Sequence, residues 1–112
     1  NRVKLSKTAT DKLRNMKGQT GVTPNILARI AIMLALKDGS SLKNAGVADS
    51  EGQELNKSVL FGDHENIYEA MINQYTNDNM INLPMQQTIA SLIEVGVHKM
   101  GHIKNIPELC EL

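Results

Sequence analysis

Two histidines, His98 and His102, lie four residues apart, with Glu94 one turn before them. On a helix that spacing puts three ligand-type side chains on one face, the minimum for a metal site. Histidines also suit a helix C-terminus, where the macrodipole favours cations, and that is the reading adopted; no metal and no cofactor are expected. The single cysteine, Cys110, sits among Leu109, Glu111 and Leu112. An acidic neighbour disfavours the thiolate, so it reads as a small packing residue rather than a nucleophile. There is no Walker loop, no GxGxxG and no CxxC pair. Eleven of the twelve acids follow residue 37, but none forms a motif that would set two carboxylates around a substrate. Met33, Met71, Met80, Met85 and Met100 read as core filler. Nothing in this inventory is an enzyme's constellation, and no catalytic residue is assigned.

What remains is electrostatic. The formal net charge is zero, yet residues 1–37 carry eight bases and one acid, and residues 38–112 carry four bases and eleven acids. A neutral chain split into halves of +7 and −7 has a basic end suited to a polyanion. With no Trp, one Phe and two Tyr, stacking on separated bases is not the expected mode.

The bases need a scaffold. At 112 residues the chain reads as a single domain, with a basic half at 1–38 and an acidic helical half at 55–102. The longest apolar run, residues 30–36, is far short of the ~20 residues of a membrane span. No signal-peptide pattern is visible, and one cysteine fits a reducing, cytoplasmic home. Residues 2–6 alternate, with Val3 and Leu5 on one face and Arg2, Lys4 and Ser6 on the other, which predicts a short strand. Ser6 then caps a helix over 7–18 with Ala9, Leu13 and Met16 inside. Thr23 before Pro24 starts a second helix over 24–38. Between Ile26 and Leu36 only Arg29 is polar. A helix apolar nearly all round must be buried nearly all round, which predicts an oligomer with Ile30 and Leu34 between chains, a dimer at least and preferably a tetramer.

Residues 39–54 read as a surface loop. Residues 55–61 read as a strand with Leu55, Val59 and Phe61 on one face. Asp63 is expected to cap a helix over 64–76 with Ile67, Ala70, Met71 and Tyr75 inside. A last helix over 84–100 is expected to bury Ile89, Leu92, Ile93, Val97 and Met100, ahead of an irregular tail. The fold class is mainly α, at most α+β.

Strand, basic helix, turn, buried helix is the ribbon-helix-helix order, in which two chains intertwine and lay a paired ribbon in the DNA major groove. The free N–H groups at 23–26 would hold a phosphate, with Asn25 as a further donor. The candidate DNA-binding residues are therefore Arg2, Lys4, Lys7, Lys12, Arg14, Lys17, Thr23 and Asn25.

The stretch Thr-Gly-Val-Thr-Pro-Asn-Ile-Leu-Ala-Arg-Ile-Ala at 20–31 resembles the signature of the DNA sulfur modification protein DndE family. Gly52, the Glu54-Leu55-Asn56 run, Leu60, Gly62 and Asp63 are similar too, as is the opening 5–13. Position 55 is Leu where a bulkier apolar residue is expected. The resemblance implies a place in the bacterial machinery that replaces a non-bridging phosphate oxygen of DNA with sulfur, as its small component without a catalytic motif. It implies DNA and the other phosphorothioation proteins as partners. Inserting sulfur by opening the backbone leaves a nick, a flexible point that bends at lower cost than an intact site, so double-stranded DNA, nicked in preference, is the expected ligand. A ribbon-helix-helix repressor or antitoxin, reading bases through Arg2, Lys4 and Ser6, is the alternative, and a protein scaffold that never touches DNA is the third reading.

Overall fold

The structure, a computed structural model, describes residues 2–38 and 51–100. Most of the expected loop, the expected tail, His102 and Cys110 lie outside the described residues. The elements are β1 (Arg2–Lys4), α1 (Lys7–Thr20), α2 (Pro24–Asp38), β2 (Glu54–Asn56), α3 (Lys57–Phe61), a 3-10 turn (Gly62–His64), α4 (Glu65–Asp78) and α5 (Met85–Met100). The fold is mainly helical with one small antiparallel ribbon, as the patterning predicts.

The ribbon forms within one chain. β1 pairs with β2 in the register Arg2↔Asn56, Val3↔Leu55, Lys4↔Glu54. Two further bonds extend it, from Leu5 N–H to the Gln53 carbonyl (3.0 Å) and from Gly52 N–H to the Leu5 carbonyl (2.9 Å). The close approach needs Gly52, where a Cβ would overlap the Ser6 carbonyl and the Thr10 hydroxyl. Residues 52–54, expected in a loop, thus belong to the ladder. The ribbon-helix-helix order predicts a strand partner from a second chain; here β1 takes its partner from its own. Val3, Leu5 and Leu55 face the core, and Arg2 and Lys4 face out.

Ser6 departs from the outer face assigned to it, because its capping role turns it inward. It is buried, and its Oγ accepts from Ala9 N–H at 3.0 Å. The same hydroxyl is set to donate to the Glu94 carboxylate of α5, at 2.8 and 3.0 Å from the two oxygens. Thr10 Oγ1 donates to the Ser6 carbonyl and accepts from Gln53 N–H, both at 2.8 Å. α1 runs past Gly18, the expected stop, to Gly21, whose φ of +75° lets its N–H close on the Lys17 carbonyl (2.8 Å).

α2 and α5 form the centre. Leu27, Ala28, Ala31, Ile32, Leu34 and Ala35 of α2 are buried within the single chain. Leu34, expected between chains, is therefore an intrachain core residue. Small side chains make this possible: Gly96 of α5 lies so close to the Ala31 carbonyl that a Cβ there would overlap it. α5 is buried at every position from Thr88 to Val97 and again at Met100, which takes in all five residues predicted for its inner face. Part of α2 does stay open: Ile26 and Met33 are exposed and Ile30 is half-buried.

Three predicted details fail in the acidic half. The expected strand over 55–61 stops at Asn56, whose Oδ1 accepts from Ser58 and Val59 N–H and starts α3 instead. Helical turn then buries Leu60 and exposes Val59, the reverse of the alternation. Asp63 falls inside the 3-10 turn, and α4 begins at Glu65 without a side-chain cap. Tyr68 stacks on Phe61, centroids 4.6 Å apart. That contact turns α4 so that Ile72 and Tyr75 are buried, while Ile67 and Ala70 of the expected stripe are exposed. Lys57, on α3, pairs with Glu69 (2.6 Å) and Glu65 (3.8 Å) of α4. The hydrogen bond to Glu69 is the main cause of a lysine pKa raised above its usual 10.5.

α4 ends in a Schellman motif: Ile81 N–H bonds the Thr76 carbonyl (2.9 Å) and Met80 N–H the Asn77 carbonyl (3.4 Å). Met80 holds the left-handed position at φ +54°. It is also 93% exposed, and Met33 is exposed too, so neither is core filler.

Candidate nucleic-acid interface

The expected DNA contacts lie on two consecutive elements and one helix start. Alternation within β1 buries Val3 and Leu5 and so turns Arg2 and Lys4 to solvent, their side chains 74% and 59% exposed. Both meet Glu54 across the ribbon: Arg2 Nη1 is 3.2 Å from Oε2 and Lys4 Nζ is 3.8 Å from Oε1. Lys4 and Glu54 are direct cross-strand partners, and Arg2 is the diagonal neighbour.

α1 carries the other four bases. Ala9, Thr10 and Leu13 are buried, which leaves Lys7 and Arg14, two turns apart, on the outer line of the helix. Asp11 lies between them and pairs with Arg14 at 3.7 Å. From Lys7 to Lys17 the helix rises about 15 Å. Lys7 occupies a first turn that has no acid, against the preference of the helix dipole for negative charge there. Lys17 is exposed in the last turn, beside the start of α2. Lys12 is drawn elsewhere. It is half-buried, and its ammonium donates to His98 Nδ1 on α5 at 2.7 Å. A lysine ammonium cannot accept, so this bond needs an unprotonated Nδ1.

At the start of α2, Thr23 is exposed and its carbonyl accepts from Leu27 N–H at 3.0 Å. Asn25 is half-buried with its Oδ1 turned inward and unpartnered. Arg29, one turn on, donates to the Leu60 and Val59 carbonyls at the end of α3. That gives one of the eight N-terminal bases a structural role.

The residues considered for a metal are divided. Glu94 is buried on Ser6 and His98 meets Lys12. Among the described residues there is no group of three or more His, Cys, Asp or Glu side chains that could hold a metal ion. No helix among them is long and apolar enough to cross a membrane. Burial of Ser6 also removes it from the set that a base-reading ribbon would use.

Sequence reasoning found the bases and missed their partners Glu54 and His98. Both partners are legible by type, but they lie 50 and 86 residues from the bases they meet in the case of Lys4 and Lys12, and no local pattern links them.

No curated protein matches the chain. Among solved structures, the chain is similar to the crystal structure of DndE from Escherichia coli B7A, described as involved in DNA phosphorothioation modification. The TM-score is 0.72 at 26% identity, covering 89% of this chain and 95% of that one. The sequence profile of the DNA sulphur modification protein DndE matches residues 2–108. With nearly the whole chain matched in sequence, and a fold shared with a solved member, this chain belongs to the DndE family.

Proposed function

We propose that the chain is a non-catalytic DNA-binding subunit of the bacterial phosphorothioation system. It grips the backbone of duplex DNA through Arg2, Lys4, Lys7, Lys12, Arg14 and Lys17, with Thr23 and Asn25 at the start of α2. The supporting observation is the placement of bases on the outer faces of β1 and α1, Lys7 against the helix dipole among them. Phosphate contacts position a protein without reading sequence. The working form is a homo-oligomer, preferably a tetramer, in the cytoplasm beside the other phosphorothioation proteins. Its contact face is the open side of α2, Ile26, Ile30 and Met33. A route that inserts sulfur by opening the backbone leaves an interrupted strand, a hinge that bends more cheaply than an intact duplex. A basic surface from each copy grips both sides of the hinge, so nicked duplex is the preferred ligand. Single strands bind less well for lack of an aromatic platform.

The test is a titration of intact, nicked and single-stranded DNA of one sequence at two salt concentrations. Affinity falls with salt with a log–log slope of roughly −3 or steeper. The triple variant K4E/K7E/K17E loses binding while its circular dichroism is unchanged. A triple variant that binds like the parent removes the basic face as the DNA site. Equal affinities for nicked and intact duplex leave a general duplex binder.

A further inference from the structure

We infer that Glu54 is a built-in counter-ion that gates the basic strand, competing with DNA phosphates for Arg2 and Lys4. The inference rests on the reading of those two residues as phosphate contacts. Its basis is the geometry of one carboxylate shared by two bases. Oε2 faces Arg2 at 3.2 Å and Oε1 faces Lys4 at 3.8 Å, so both oxygens are engaged and both strand bases are partly neutralised.

The Glu54 side chain is not what holds the ribbon together. The register is set by the β1–β2 ladder, by Val3 opposite Leu55 on the buried face, and by the bonds of Leu5 to Gln53 and Gly52. With 40% of the Glu54 side chain exposed, and its partners more so, these pairs are weak, open to solvent and screened by salt. A pair of that kind gives way to DNA, whose phosphate oxygens match the fork of Arg2 as a carboxylate does and whose backbone presents a row of charges and releases counterions on binding. The contrast with Lys57 is instructive. Its side chain is 13% exposed, and its pairing with Glu69 and Glu65 joins α3 to α4 in a site a polyanion cannot enter. Lys4, at the longer distance, is released first, and Arg2 follows. The acid half of the chain thereby reaches across the sheet to moderate the basic half.

The experiment is a duplex titration against salt for the full chain, E54Q, R2Q/K4Q and R2Q/K4Q/E54Q, each checked for an unchanged thermal midpoint. E54Q is nearly isosteric on an exposed face. It binds two- to five-fold tighter at low salt, in line with the strength of exposed pairs, and its slope steepens by up to about 0.9. R2Q/K4Q binds more weakly, and adding E54Q to it gives no gain. If R2Q/K4Q weakens binding but E54Q alone is neutral or weaker, the gate is wrong and the strand remains a phosphate contact. If E54Q gives the same gain without Arg2 and Lys4, Glu54 acts by general repulsion and the gate is likewise wrong. If the parent does not bind duplex, or R2Q/K4Q binds like the parent, the underlying reading of the strand fails and the gate with it.

Discussion

Replacing Ser6 by Ala tests whether the basic end and the last helix are coupled through a single hydroxyl. The change removes two interactions at once. One is the cap on α1, the 3.0 Å bond from Ala9 N–H to Ser6 Oγ, worth about 1 kcal/mol. The other is the hydroxyl that faces the Glu94 carboxylate at 2.8 and 3.0 Å. Glu94 is 5% exposed, so the acceptor left behind adds the cost of a buried unmatched polar group, about 1–3 kcal/mol. The sum is about 2–4 kcal/mol, a large share of the 5–15 kcal/mol of a typical domain. Urea unfolding followed by circular dichroism measures it. With a slope of about 1–3 kcal/mol/M the midpoint falls by about 0.7 M or more. The cap and the pair are separated by a double-mutant cycle with E94L, which replaces the carboxylate by an apolar side chain of similar size. On that background S6A costs only its cap, so the coupling energy is at least about 1 kcal/mol. Additive effects within about 0.5 kcal/mol would refute the coupling. S6A within experimental error of the parent would refute the cap as well.

Gly96→Ala places a Cβ against the Ala31 carbonyl, backbone that cannot swing aside, and is expected to cost about 3 kcal/mol or prevent folding; a thermal midpoint like the parent's contradicts the close helix crossing. Met80→Gly relieves a left-handed φ of +54° at an exposed side chain and is expected to stabilise the protein by about 0.5–1 kcal/mol in urea. Lys57 has a folded pKa raised above 10.5, chiefly by its bond to Glu69. Its contribution is therefore fully present below pH 10.5 and is lost as pH rises through the folded value; stability of the parent should fall over that alkaline window more steeply than that of K57M.

The parts of the fold written in local pattern were legible. Val3 and Leu5 alternate with bases, Ser6 precedes a helix, and Thr23 and Pro24 begin another. Spacing finds the five apolar residues of α5 that are buried, but not the burial of Thr88, Ser91, Glu94 and Gly96 on its other sides. What failed has physical causes. A run of five or six mixed residues satisfies both periods, so α3 was indistinguishable from strand until the Asn56 side chain capped it. The rotation of α4 depends on Tyr68 finding Phe61, a tertiary contact. The burial of one side of α2 within a single chain turns on Gly96 admitting Ala31, a close approach that no spacing in α2 itself announces. At the candidate interface the bases were readable by type, but Lys12 proved to be oriented by His98 and the strand bases by Glu54.

The ribbon's dependence on β2 and α5 has a consequence for assembly. The ladder that sets the outer face of β1 places Val3 opposite Leu55, 52 residues on, and the hydrogen bonds of the Ser6 hydroxyl span 88 residues to Glu94. Contacts of such separation carry the full entropy of loop closure before they return any stability. During synthesis the basic segment therefore leaves the ribosome as an unpaired strand and a loosely anchored helix, charged but without a fixed shape. The outward arrangement of its bases arises only when β2 and α5 have been made. Synthesis of α5 is in this sense a checkpoint on that arrangement: a chain truncated before Glu94 keeps all the N-terminal bases and loses the frame that aims them.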